Sequence, residues 1–145
     1  LTSMFRWGEN IEMWSMLLVI AAFVFMFIVF AVAIANRKKL DDRVIFGMAV
    51  LLAVGIPFLL PHMHDRYFFT GGMMCIVLAV SDLRFAVMPI LAELASLHCY
   101  YAYFSRYYLV QPRIGGELML AVLALSAIYV GIYLKENQEK DKIYP

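Results

Sequence analysis

Within the five consecutive residues His62-Met63-His64-Asp65-Arg66 the chain places two imidazoles, a carboxylate and a guanidinium, led by Pro61 and followed by Tyr67 and Phe68. Long apolar runs flank this cluster on both sides. His62 and His64 stand at i and i+2, so in an extended segment both side chains project to one side. Three kinds of chemistry fit. Polar and aromatic side chains of this kind anchor a loop at the headgroup level of a bilayer. Two imidazoles and a carboxylate, His62, His64 and Asp65, form a set that a divalent metal such as zinc can take. The planar fork of Arg66, the histidine donors and the free N–H groups of a helix start can together hold an anion, above all a phosphate.

Positioning such a cluster falls to the apolar runs. The chain has 145 residues, 64% of them hydrophobic, and a mean hydropathy of +0.79. Soluble domains are nearer half apolar, so the reading is an all-α polytopic transmembrane helical domain of about five spans. The spans are expected near residues 13–35, 44–60, 67–81, 85–104 and 117–134. Residues 1–136 then form the membrane domain, and residues 137–145 a polar, solvated cytoplasmic tail. A net charge of +1 and the lack of basic–aromatic blocks exclude a nucleic-acid partner. Cys75 and Cys99 lie in apolar runs without a CxxC, as buried free thiols do.

Local signals refine these boundaries. Pro57 removes a backbone donor near the end of the second run, and Pro61 forces Leu60 out of helical geometry, so that helix is predicted to stop there. Gly47, Ala49, Ala53 and Gly55 give the same run small residues for close helix packing. Gln111-Pro112-Arg113-Ile114-Gly115-Gly116 reads as a loop by composition.

Charge sets the expected orientation. With five spans, one side holds Arg37, Lys38, Lys39, Arg43, Arg84, Lys135, Lys140 and Lys142, and the other holds Arg6, Arg66, Arg106 and Arg113. Positively charged loops stay cytoplasmic. The C-terminus is therefore expected inside and His62–Tyr67 on the extracytoplasmic face. Whether the third and fourth runs are full crossings or a re-entrant hairpin decides everything after them.

Other polar residues interrupt the fourth run. Glu93 lies mid-span, where a carboxylate is costly and commonly functional. His98 follows five residues later, about 140° around a helix, so the two should not share a face. Tyr100, Tyr101, Tyr103, Tyr107 and Tyr108 read as an interfacial belt, with Arg106 and Arg113 as further headgroup or phosphate contacts.

The segment His62-Met63-His64-Asp65-Arg66-Tyr67-Phe68, led by Leu59-Leu60-Pro61, resembles the late extracytoplasmic motif of multi-pass glycosyltransferases of the GT-C architecture. It is most similar to bacterial relatives of GPI mannosyltransferase II. The likeness covers about ten residues. It implies a membrane glycosyltransferase in the bacterial plasma membrane. Such an enzyme moves a hexose, mannose in the nearest likeness, from a polyprenyl-phosphate donor to an extracytoplasmic glycan or lipid acceptor. His62, His64, Asp65, Arg66 and Tyr67 would hold the donor phosphate, with Glu93, His98 and Arg106 as secondary candidates. The resemblance itself names no cofactor; a divalent metal stays open from the residue types of His62, His64 and Asp65.

Those enzymes carry about ten or more spans and an acidic general base in their first extracytoplasmic loop. In this chain Glu9 is the one acid in the first segment, Leu1 to Asn10, and it lacks the expected tryptophan–aspartate or paired-aspartate setting. The chain starts at Leu1 and shows no signal peptide, so it is expected to be the C-terminal portion of such an enzyme, inactive alone. The rival reading is a non-enzymatic membrane protein, a transporter or assembly subunit that uses Glu93 and the histidines for protons or ions.

Overall fold

The computed structural model describes residues 11–61, 68–105 and 112–143. Among them all regular structure is helical: α1 Ile11–Ala35, α2 Asp42–Leu59, α3 Phe68–Ser81, α4 Val87–Ser105 and α5 Pro112–Ile143, with 3-10 turns at Arg37–Lys39 and Leu83–Phe85. Three helical stretches, Glu12–Ala35, Asp42–Leu59 and Arg113–Glu139, are long and apolar enough to cross a membrane. The chain is thus a helical membrane domain. The count differs from the five spans expected. With 14 residues, α3 is only about 21 Å long, short of a hydrocarbon core of about 30 Å. In α4, Glu93, His98 and a run of tyrosines dilute the apolar character.

Helices α2, α3, α4 and α5 form a closed ring, each packed on the next and α5 on α2, while α1 lies outside against α2. Lipid tails are as apolar as leucine, so burial of apolar surface does not hold such helices together; close packing does. The glycines show where that happens. A Cβ at Gly47 would stand 2.7 Å from the Tyr129 ring of α5, and one at Gly71 of α3 would stand 2.9 Å from Val54 of α2. A Cβ at Gly55 would meet Phe25 of α1 at 2.5 Å and Leu123 of α5 at 3.1 Å. Gly47 thus pairs with Tyr129 and Gly55 with Leu123, so α2 and α5 run antiparallel. Val44, Val54, Leu78, Met88 and Val122 are fully buried between these helices, as is the thiol of Cys75. The one buried polar side chain among the described residues, Ser126, donates its hydroxyl to the Val122 carbonyl one turn back, at 2.8 Å.

Contact between α1 and the ring runs along a narrow seam of Ala22, Phe25, Val29 and Val32, spaced three and four residues apart. Beyond that seam its side chains are largely exposed: Phe23, Phe27, Phe30 and Ile34 all face away from the bundle. A surface this apolar belongs in lipid.

The helix ends follow local chemistry. Asp41 caps α2 by accepting the Val44 N–H at 2.9 Å. α2 stops at Leu59, with Leu60 extended (φ −66°, ψ 132°), the geometry that Pro61 imposes on its predecessor. α5 departs from expectation at its start. It starts at Pro112 and runs straight through Gly115 and Gly116, where a loop was expected. Proline suits a first helical position because its missing N–H would have had no partner there, and Gly115 is buried. At the far end α5 continues through the polar tail to Ile143. Glu, Lys and Gln are good helix formers, and Glu136 and Lys140 stand in the favourable i, i+4 order.

Candidate functional site

The two ends of the bundle differ in chemistry. One gathers the α1–α2 connector, the α3–α4 connector and the C-terminal part of α5, held together by side chains. Asn137 Nδ2 donates to the Lys39 carbonyl at 2.9 Å. The Tyr133 hydroxyl donates to Asp82 Oδ2 at 2.9 Å and accepts from Arg84 Nη2 at 3.3 Å. Arg84 Nε contacts both carboxylate oxygens of Asp82 at 3.0 Å. The Arg43 guanidinium lies 5.6 Å from the centre of the Tyr133 ring. Tyr133 in turn packs on Tyr129 (ring centres 4.6 Å), and Tyr129 meets Phe85 edge-on at 5.0 Å.

This network ties α2, α5 and the α3–α4 turn at one height. It also places Arg37, Lys38, Lys39, Arg43, Arg84 and Lys135 at a single end. The α3–α4 hairpin therefore reaches as far as the start of α2. From Gly71 to Ser81 is ten residues, as is Val54 to Val44, so both helices descend about 15 Å from their close contact.

In the sequence Arg84 stands out only as one of the cations of one side, and Asp82 and Tyr133 carry no signal of their own. Their pairing joins positions 51 residues apart, and no local pattern announces it. Its consequence is testable. Hydrogen bonds from the Arg84 side chain, and then from its backbone N–H and the Tyr133 hydroxyl, hold the Asp82 carboxyl down to about 2 despite the opposing effect of its burial. The folded value lies below the unfolded one, so the carboxylate stabilises the fold above the unfolded value and the contribution is lost as pH falls toward the folded one. Thermal midpoints should therefore fall between about pH 4 and pH 2. Asp82→Asn should start lower at neutral pH and lose the dependence on pH within that window. A parallel pH profile for both proteins would exclude the assignment.

The opposite end is formed by Leu60 and Pro61 after α2, Phe68 at the start of α3, Tyr101 to Ser105 at the end of α4, and Pro112 to Glu117 at the start of α5. His62, His64, Asp65, Arg66 and Tyr67 belong to the segment that joins α2 to α3 and lie outside the described residues, as does Arg106 in the segment between α4 and α5. Arg113 is exposed and paired with Glu117 at 2.8 Å, an i, i+4 surface pair of small energetic weight. Tyr100, Tyr101 and Phe104 are exposed near this end, as an interfacial belt would be.

Two secondary candidates, Glu93 and His98, are described. Glu93 leans across α4 onto α3, where its Oε1 would stand 2.8 Å from a Cβ at Gly72. Glycine at position 72 is what lets the carboxyl lie there. His98 is half-buried, and its Nε2 is buried with no hydrogen-bond partner among the described residues. No hydrogen bond or ion pair joins Glu93 to His98 among the described residues. Nor do the described residues contain a group of three His, Cys, Asp or Glu side chains that could hold a metal; the set His62, His64 and Asp65 lies outside them.

No protein-family model, curated protein or solved structure matches the chain. Function therefore rests on the chemistry of the residues themselves and on where the helices bring them.

Proposed function

We propose that the chain is the C-terminal membrane module of a glycosyltransferase that takes a hexose, mannose by resemblance, from a polyprenyl-phosphate donor on the extracytoplasmic face. The observation that carries this is the segment His62 to Phe68, with its Pro-led order of His, acid, Arg and Tyr. Two structural facts support it. The α2 and α3 ends that flank the segment stand at the end of the bundle away from the cationic connectors, which the positive-inside rule makes extracytoplasmic. His98, whose buried Nε2 has no partner among the described residues, lies on α4 toward the same end.

In the reaction, the bond from the sugar anomeric carbon to the phosphate oxygen breaks as the acceptor oxygen bonds that carbon. The acceptor proton passes to a base supplied from outside these residues. Negative charge grows on the departing phosphate, where Arg66, His62 and His64 would stabilise it, with Asp65 and Tyr67 orienting them. The test is transfer by the complete protein in proteoliposomes, with radiolabelled polyprenyl-phosphate mannose added to one side. Labelled acceptor from that donor, and none from a nucleotide sugar, is expected. Transfer from a nucleotide sugar alone would overturn the proposal.

The contact of Glu93 with Gly72 favours a second reading, a proton- or ion-coupled membrane protein, because it places a carboxyl on an apolar helix seam. The two readings separate at one substitution. Proton-coupled flux lost in Glu93→Gln, with Arg66→Ala unaffected, selects the second; sugar transfer retained in Glu93→Gln selects the first.

A further inference from the structure

Between α1, α2 and α5 runs a groove of ≈ 510 Å³ whose walls are wholly apolar, among them Ile28 and Val32 of α1, Leu51 of α2, and Leu120, Ala127 and Leu134 of α5. From Leu120 to Leu134 it follows α5 for 14 residues, about 21 Å, more than the depth of one leaflet's hydrocarbon at about 15 Å. Spread over that length, the space is narrower than a helix with its side chains, about 10 Å across, and suits a hydrocarbon chain. At Gly131, in its wall, a Cβ would meet nothing within 4 Å.

The groove has one charged mouth. Val32 is followed within two turns by Arg37, Lys38 and Lys39, and Leu134 by Lys135. The bond from Asn137 to the Lys39 carbonyl fastens the cationic turn to α5, so both cationic groups stand over the same opening. None of these four side chains forms an ion pair with a described residue. Nearby Asp41 is turned into the start of α2, where it accepts the Val44 N–H.

We propose that this groove binds one acyl chain of an anionic phospholipid from the leaflet at the cationic end, with the phosphate held by Arg37, Lys38, Lys39 and Lys135. A zwitterionic lipid would fill the groove and bring the same phosphate, but its own headgroup cation offsets that charge beside the four basic side chains, and a helix of a second copy is too wide for the groove. The proposal does not depend on sugar transfer.

The chain, reconstituted in nanodiscs containing equal phosphatidylglycerol and phosphatidylcholine, tests it by native mass spectrometry and by cross-linking to phosphatidylglycerol bearing a diazirine in its acyl chain. One retained phosphatidylglycerol per chain is expected, favoured about tenfold over phosphatidylcholine, with cross-links on the groove walls. Gly131→Phe should abolish retention without lowering the thermal midpoint, since the new side chain enters open space. Ala127→Phe fills the same groove from the neighbouring turn and guards against a folding failure. Lys38→Glu with Lys39→Glu should erase the headgroup preference while leaving the chain cross-links. Equal retention of both lipids, cross-links spread evenly over α1 and unchanged by Gly131→Phe, or a chain–chain dimer occupying the groove would each overturn it.

Discussion

Arg66→Ala in the complete, membrane-reconstituted protein is expected to lower sugar transfer by roughly 10²–10³ with insertion and yield unchanged. The proposed role makes this effect large. As the sugar leaves, the donor phosphate gains charge beside a low-dielectric bilayer, where a fixed cation is worth more than in water. Arg66 offers several donors in one plane, so it can hold two phosphate oxygens at once. Arg66→Lys keeps the charge but loses the fork, and its activity should fall between wild type and alanine. A role confined to anchoring the loop predicts the reverse pattern: reduced insertion, with normal turnover per inserted molecule. Because the donor phosphate is bound in the ground state as well, the loss should divide between kcat and KM. A change in KM alone would restrict Arg66 to donor binding.

How much of this was legible beforehand depends on the range of the interaction. The stop after Leu59 was legible because Pro61 acts on its immediate neighbour, and the packing role of Gly47 and Gly55 because small residues in an apolar run have few other uses. Clustering of the cations at one end followed from counting charges along the chain. The start of α5 was misread because Pro112, Gly115 and Gly116 are loop residues by composition; only the burial of Gly115 and the first-turn position of Pro112 explain their place in a helix. The polar tail extends α5 to Ile143, and its residue types favour a helix. Asp82 with Tyr133 was beyond reach, since the pairing exists only once α5 lies against the α3–α4 turn. For the candidate site, the sequence supplies residue types and order. The structure adds which helix termini bracket them, and it sets Glu93 against Gly72 of α3.

Gly47→Ala and Gly131→Ala, the same change on two helices, should move stability in opposite directions. At Gly47 the added methyl would sit 2.7 Å from Cδ1 and 2.8 Å from Cε1 of Tyr129, with Val130 at 3.2 Å. Tyr129 cannot easily retreat, because it is 1% exposed and its ring is held between Phe85 and Tyr133. Relief would have to come from moving α2 off α5, which would also pull Arg43 from the Tyr133 ring. Overpacking of this kind costs about 1–3 kcal/mol. Gly47→Val should cost more and lower the yield of folded protein. At Gly131 the methyl meets nothing within 4 Å, so what remains is the gain in helix propensity, up to about 1 kcal/mol. Thermal unfolding of both variants in one detergent, followed by size-exclusion, measures the difference. A Gly47→Ala protein as stable as Gly131→Ala would mean that α2 and α5 do not meet at Tyr129. The closed ring, and with it the shared height of the cationic connectors, would then have to be redrawn.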